Sequence, residues 1–161
     1  MAATWHNRWK GETVACIATG ASLNLRDCDA IRKSGARVIA VNDAFRLAMF
    51  ADVVYAADHQ WWHKYHKDVL QIAPEMWSHD ESACKDFNLR FVQSLREHGL
   101  GKDAGFIHHG TNSGYQALNL AYQFGASKII LLGYDCQYTD GKRHFFGDHP
   151  QGWGNANHVD R

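Results

Sequence analysis

Val14-Ala15-Cys16-Ile17-Ala18-Thr19-Gly20-Ala21-Ser22 decides the fold: an apolar run of strand length stops at a glycine, and small residues follow at once. A short apolar run bounded by a turn signal is the pattern of a strand covered on both faces, as in a parallel sheet. The pattern recurs downstream. Arg37-Val38-Ile39-Ala40-Val41 stops at Asn42-Asp43, Asp52-Val53-Val54-Tyr55-Ala56 runs to Asp58, and Lys128-Ile129-Ile130-Leu131-Leu132 stops at Gly133-Tyr134-Asp135. The last of these reads as buried on both faces. Helices suit the segments between: Asp27 to Ser34 with Gly35 as the stop, a short one over Ala44 to Met49, and residues 60–70, where Trp61, Tyr65 and Val69 share a face. A further helix follows Thr111-Asn112-Ser113, with Ala117, Leu118, Ala121, Tyr122 and Phe124 as its apolar stripe and Gly125 at its end. Alternating strands and helices predict an α/β domain around a mostly parallel sheet. Residues 75–105 give a weaker pattern, with Met76-Trp77-Ser78 and Arg90-Phe91-Val92 as candidate short strands, and 136–161 reads as a long His-rich loop.

Composition narrows the function. A chain of 161 residues is one domain of ordinary size, so 1–161 is expected to fold as a unit. Seventeen Lys and Arg balance seventeen Asp and Glu, which leaves no basic field to hold nucleic acid or an anionic membrane. The longest pure aliphatic run, Ile129 to Leu132, is far short of a membrane span. The four cysteines are scattered, and Trp5-His6-Asn7-Arg8-Trp9-Lys10 is not the apolar core of a signal peptide, so reduced thiols and a cytoplasmic location are expected. Eleven histidines make the net charge strongly pH-dependent.

The polar residues that packing does not explain cluster at strand ends: Gly20 and Ser22, Asn42 and Asp43, Asp58, and Gly133 with Asp135. In an open parallel sheet these ends lie on one edge, where ligands bind. Thr111-Asn112-Ser113-Gly114 at a helix start adds N–H groups and partial positive charge, a seat for phosphate. Each signal has a plainer reading. Gly20-Ala21-Ser22 is neither a dinucleotide fingerprint nor a Walker loop and equally makes a simple turn; Asn42 and Asp43 equally cap a short helix; Asp58 equally caps residues 60–70. His59, His63 and His66 fall on one helical face but interleave with Trp61 and Trp62, which reads as a solvated aromatic-basic face rather than a zinc site. His108-His109 precede the helix start and either contact a phosphate or close a strand. His144 and His149 sit with Asp148 in the terminal loop, where a general base could be delivered over the sheet edge. Trp61, Trp62, Trp77 and Trp153 either line an acceptor cleft or fill the core.

Taken in order, Val14 to Leu23, Val38 to Asp43, Asp52 to Asp58, Thr111 to Gly114 and Ile129 to Asp135 resemble the MptE-like 6-hydroxymethylpterin diphosphokinase superfamily, which is related to the family 42 sialyltransferases and includes small phage-encoded members. The resemblance spans residues 14 to about 150 and implies a Rossmann-like three-layer α/β fold. It implies a transferase with a nucleotide-activated donor: Gly20 and Ser22 at the phosphate and ribose turn, Asn42 on the nucleotide, Ser113 and Gly114 at the helix start, and Gly133 and Asp135 after the last central strand. His144, with His149 second, matches the catalytic base. Gln137 stands where the sialyltransferases carry one tyrosine of a pair that steadies the departing phosphate, with Tyr138 adjacent. The pterin kinase branch implies Mg²⁺ and ATP instead, with Asp43, Asp58 and Asp135 converging on a polyphosphate and Asp58 and Asp135 as metal ligands. A third outcome is a phage accessory or virion-associated module that keeps the fold without the chemistry. Relatives continue past the His-rich loop into another helix and strand, so this sequence is expected to be either a naturally short form, with a homo-oligomer completing the sheet edge, or a fragment that lacks a closing element.

Overall fold

The computed structural model describes residues 4–73, 75–138, 140–150 and 153. Thirteen elements follow one another as β1 (Thr13–Ile17), α1 (Leu25–Ser34), β2 (Arg37–Val41), a 3-10 turn (Asn42–Arg46), β3 (Val53–Tyr55), α2 (His59–Leu70), β4 (Glu75–Ser78), α3 (Glu81–Phe87), β5 (Arg90–Phe91), β6 (Gln93–Leu95), β7 (Phe106–His108), α4 (Ser113–Gln123) and β8 (Lys128–Leu132). Six strands make one parallel sheet in the order β5-β4-β3-β2-β1-β8, and β6 and β7 pair separately, also in parallel.

That order dictates the layers. From β1 to β5 every crossover steps the same way along the sheet, so right-handed connections stack α1, α2 and α3 on one face. The return from β5 to β8, on the far side of β1, carries β6, β7 and α4 over the other face. Side-chain alternation matches. Ala15, Ile17, Val38, Ala40 and Val54 pack with Cys28, Ile31, Trp61, Trp62, Tyr65, Val69 and Ala83. Their neighbours Val14, Cys16, Ile39, Val41, Val53 and Tyr55 pack with Ile107, Ala117, Leu120, Ala121 and Phe124. The fold is Rossmann-like α/β, with the direction of strand progression reversing between β1 and β8. In such sheets the reversal splays the two connecting loops and opens a crevice at the carboxyl ends of the strands.

Local chemistry sets the boundaries. Asn24 accepts from Asp27 N–H to cap α1, which Gly35 ends at φ 72°. Asp80 accepts from Ala83 N–H to cap α3, and Asn88 ends it in the left-handed region. The N-terminal segment is pinned to the end of α4 by Trp9 N–H to the Phe124 carbonyl (2.7 Å), with the two rings 4.6 Å apart edge-on.

Several expectations change. β8 is not buried on both faces: it is the outermost strand, and Leu131 is 47% exposed. The short helix expected over Ala44 to Met49 is a 3-10 turn that begins earlier, at Asn42, because Asn42 itself takes the left-handed conformation (φ 48°). Residues 75–105 hold α3 and β6 besides the two short strands foreseen there. Trp62 and Trp77 are fully buried and Trp61 nearly so, which makes them core residues first. The expected loop over 136–161 falls partly outside the described residues. Its described portion has no helix and includes a tight turn in which Gly147 N–H donates to the His144 carbonyl. Among the described residues no helix is long and apolar enough to cross a membrane.

Candidate functional site

The carboxyl edge of the sheet gathers the predicted residues into two clusters. The first sits at the reversal between β1 and β8. Gly20 N–H donates to the Gly133 carbonyl (2.8 Å), and Asp135 accepts from both Ser22 N–H (2.8 Å) and the Ser22 hydroxyl. A Cβ on Gly20 would lie 2.5 Å from the Gly133 oxygen and 2.6 Å from Asp135 Cγ, so the two loops meet only because residue 20 has no side chain. Tyr134 reaches across to α4 and donates to the Gly114 carbonyl (2.9 Å). Burial drives the Tyr134 phenol well above its ordinary pKa and the adjoining Cys16 thiol up to about 12, so neither ionises near neutral pH.

This cluster is largely self-satisfied. Ser22 spends its N–H and hydroxyl on Asp135, and at the start of α4 Asn112 Oδ1 accepts from Gly114 N–H (2.7 Å) and Tyr115 N–H (3.2 Å). The protein's own capping side chain therefore takes two of the N–H groups that a phosphate would use. Thr111 precedes that cap in the left-handed region (φ 52°) and is exposed.

The second cluster is open. A cavity of about 380 Å³ lies against the ends of β2 and β3, lined by Asn42, Asp58, His59, Gln60, Trp61, His149 and Trp153. Asn42 Oδ1 is buried without a hydrogen-bond partner among the described residues, which costs on the order of 1–3 kcal/mol unless a donor is supplied. Asp58 stands at the N-cap position of α2, yet its side chain makes no capping bond, which leaves the exposed carboxylate available at the cavity wall. Asp43, next to Asn42 in sequence, points elsewhere: its buried carboxylate accepts from Trp61 Nε1 (2.9 Å) and pairs with Arg46 (2.7 Å), locking the turn to α2.

A strap over residues 144–149 joins the clusters. His144 Nδ1 is 3.0 Å from the Thr19 hydroxyl, and Phe145 N–H donates to the Thr19 carbonyl (3.0 Å). Phe146 stacks parallel on His144, and the His149 ring is 4.6 Å from it. Burial lowers the pKa of both histidines; the proximity of His149 lowers that of His144 further, while Asp43 and Asp148 oppose the shift at each. Both are therefore neutral at pH 7. The Lys64 ammonium lies over the Trp153 ring (5.1 Å) at the rim. Ser113 closes the circuit, its hydroxyl accepting from Ala57 N–H (3.3 Å) beside Asp58.

Gly20, Ser22, Gly114, Gly133 and Asp135 thus meet at the reversal, Asn42, Asp58 and His149 meet in the cavity, and Ser113 and His144 bridge the two. Tyr138 joins neither. It is exposed, with the Arg143 guanidinium 5.5 Å from its ring centre. Of the carboxylates expected around a polyphosphate, Asp43 is bound to Arg46 and Trp61, Asp135 accepts from Ser22 and Asp58 lines the cavity; among the described residues no three His, Cys, Asp or Glu are arranged to hold a metal ion. On α2, His59 Nε2 meets Asp86 (2.9 Å) and the His66 ring stacks on Phe87. Gln60 as a cavity residue and His79 at the end of β4 have no counterpart in the sequence reading. For His79 the signal was there, because it directly follows a strand candidate. No family model matches the chain, and no curated protein or solved structure matches it either.

Proposed function

We propose that the protein is a nucleotide-dependent transferase of the glycosyltransferase type, with the nucleoside of an activated sugar seated in the Asn42–Asp58–Trp153 cavity. The observation that carries this reading is the buried Asn42 oxygen, without a partner among the described residues, beside the Asp58 carboxylate, which makes no capping bond, in a cavity of ligand size. Both groups accept hydrogen bonds, and a nucleoside offers amide, amino and hydroxyl donors. Trp153 supplies an aromatic wall on which a flat ring can stack. The donor phosphate lies toward the strap, where Lys64 supplies positive charge at the rim. The resemblance of residues 14 to about 150 to the sialyltransferase-related superfamily points the same way.

A thermal-shift screen of CMP, CDP, UDP, GDP and ATP, each with and without Mg²⁺, tests the reading. A nucleotide at 100 times its Kd stabilises the fold by about 2.7 kcal/mol. For a chain of this length that raises Tm by roughly 5–11 °C. The expected response is metal-independent, selects one base, and is lost in Asp58→Asn. A response confined to ATP with magnesium would move the protein to diphosphate transfer. No response to any nucleotide would overturn the reading and favour the non-catalytic module.

A further inference from the structure

A second histidine pair occupies the same edge, outside the cavity and the strap. His79 follows β4 and His109 follows β7, with ring centres 4.9 Å apart and planes nearly perpendicular. Both are half-buried. Their protonation is fixed by hydrogen bonds that admit one arrangement. Gln116 Nε2 donates to the His109 carbonyl (2.7 Å), and since a carbonyl only accepts, Gln116 Oε1 must face the other way, toward Tyr55. The Tyr55 hydroxyl donates to that oxygen (2.8 Å) and so spends its one proton. His79 Nδ1, 3.3 Å from the same hydroxyl, can then only donate to it. Neutral His79 is therefore protonated on Nδ1 and carries its lone pair on Nε2. His109 is the opposite tautomer: its Nδ1 accepts from Thr111 N–H (3.1 Å), which puts its proton on Nε2.

We infer that His79 is the general base that activates the acceptor hydroxyl, held in its reactive tautomer by the buried Tyr55–Gln116 pair. The inference rests on the transferase reading and supplies the acceptor side of it. Ser78, immediately before His79, donates its hydroxyl to the Ala57 carbonyl (3.4 Å), so His79 is braced against the turn that carries Asp58. The Asp58 carboxylate opposes the lowering of the pKa at both His79 and His149. In the step itself, the acceptor proton passes to His79 Nε2 while the acceptor oxygen bonds to the anomeric carbon of the donor. The bond from that carbon to the phosphate oxygen breaks, its electron pair leaving with the nucleotide. The negative charge of Asp80 and Asp58 favours the imidazolium so formed, which returns its proton to water. The groups around it are Tyr55 on β3, Asp58 before α2, Asp80 at the cap of α3 and His109 after β7; burial and His109 hold the ring neutral at pH 7, against the two carboxylates. Tyr55 and Gln116 are positioning residues. The base that resemblance implies, His144, has its Nδ1 on Thr19 and belongs to the donor-side strap.

The experiment is imidazole ¹⁵N NMR of the full chain at pH 7, joined to donor turnover with and without an acceptor sugar. The expected spectrum shows His79 protonated on Nδ1 and His109 on Nε2, with Tyr55→Phe moving His79 toward the other tautomer. His79 on Nε2–H, or doubly protonated, overturns the assignment whatever the activity. In turnover, His79→Gln is expected to lose about 100-fold or more in kcat at unchanged donor affinity, together with the acid limb of the wild-type pH profile. Loss below about threefold overturns it. A wild type with the expected tautomers that turns over no nucleotide sugar refutes the transferase reading and the base with it, and the spectrum shows that the hydrogen-bond derivation was not the part at fault.

Discussion

The meeting of the β1 and β8 loops can be tested with three glycines that separate two costs. At Gly35 an added Cβ finds nothing within 4 Å, but the backbone is left-handed (φ 72°). Gly35→Ala therefore costs roughly 1–2 kcal/mol of conformational strain and nothing from contact. Gly20 is not in the left-handed region, yet its Cβ would sit 2.5 Å from the Gly133 carbonyl oxygen and 2.6 Å from Asp135. Gly20→Ala therefore carries a steric cost alone, about 1–3 kcal/mol. Gly133 has both, with φ 67° and a Cβ 2.5 Å from the Ala18 carbonyl oxygen, so Gly133→Ala should lose about 2–5 kcal/mol. Stiffening of the unfolded chain offsets each by about 0.4–1 kcal/mol and cancels in the comparison. Thermal unfolding reads the series at roughly 2–4 °C per kcal/mol for a domain of this size. The expected order of destabilisation is Gly133 above both single-cost positions. In the double mutant Gly20→Ala/Gly133→Ala the two losses should not add, because the residues share a hydrogen bond. If Gly133→Ala is no worse than Gly35→Ala, or if the double mutant is additive, the β1 and β8 loops do not meet at these glycines.

Stability should also fall with acid in a defined window. His79, His144 and His149 all have folded-state pKa values below the ordinary imidazole value, chiefly through burial. The unfolded chain then binds more protons, so their contribution is intact above about pH 6.5 and is lost as pH drops below it. Tm measured from pH 7.5 to 5.5 should decline, and the triple change of these histidines to Gln should flatten the decline; an unchanged slope would place the titration elsewhere. Asp43→Asn leaves Arg46 without its buried partner and should cost about 1–3 kcal/mol by denaturant titration; a change below 0.5 kcal/mol would mean the turn is not locked there. Leu131→Lys, on the exposed outer strand, should leave the monomer's stability within about 0.5 kcal/mol. Sedimentation of this variant beside the wild type tests the self-association expected of a short form with an open sheet edge: a wild-type oligomer that the lysine dissolves would place it at β8.

The parallel sheet was legible because β1, β2 and β3 are covered on both faces and so read as unbroken apolar runs. β8 reads the same way, and misled, since an apolar run records what a strand is made of and not which neighbours it has. β6 and β7 are three residues each, too short for periodicity to register. At the site, strand-end position found Asn42 and Asp58 but could not separate Asn42 from Asp43. The two are adjacent in sequence, yet one lines a cavity and the other is buried on Trp61, because the left-handed turn at Asn42 sends them in different directions. The His79 tautomer depends on Gln116, 37 positions away, and no local pattern encodes such a contact.

Since β1 lies between β2 and β8, the order of synthesis bears on how the protein comes to work. A ribosome would deliver β1 to β5 first, and these can zip together through neighbours close in sequence. The partner of Ser22 is 113 residues later, so the nascent chain holds most of its sheet long before the β1 and β8 loops can meet. Until β8 arrives, one side of β1 stays unpaired, with an open row of peptide groups. The joining of β1 to β8 comes last, and a product cut short before residue 128 would be well ordered in part, prone to pair with other chains, and without the Gly20–Gly133 and Ser22–Asp135 contacts.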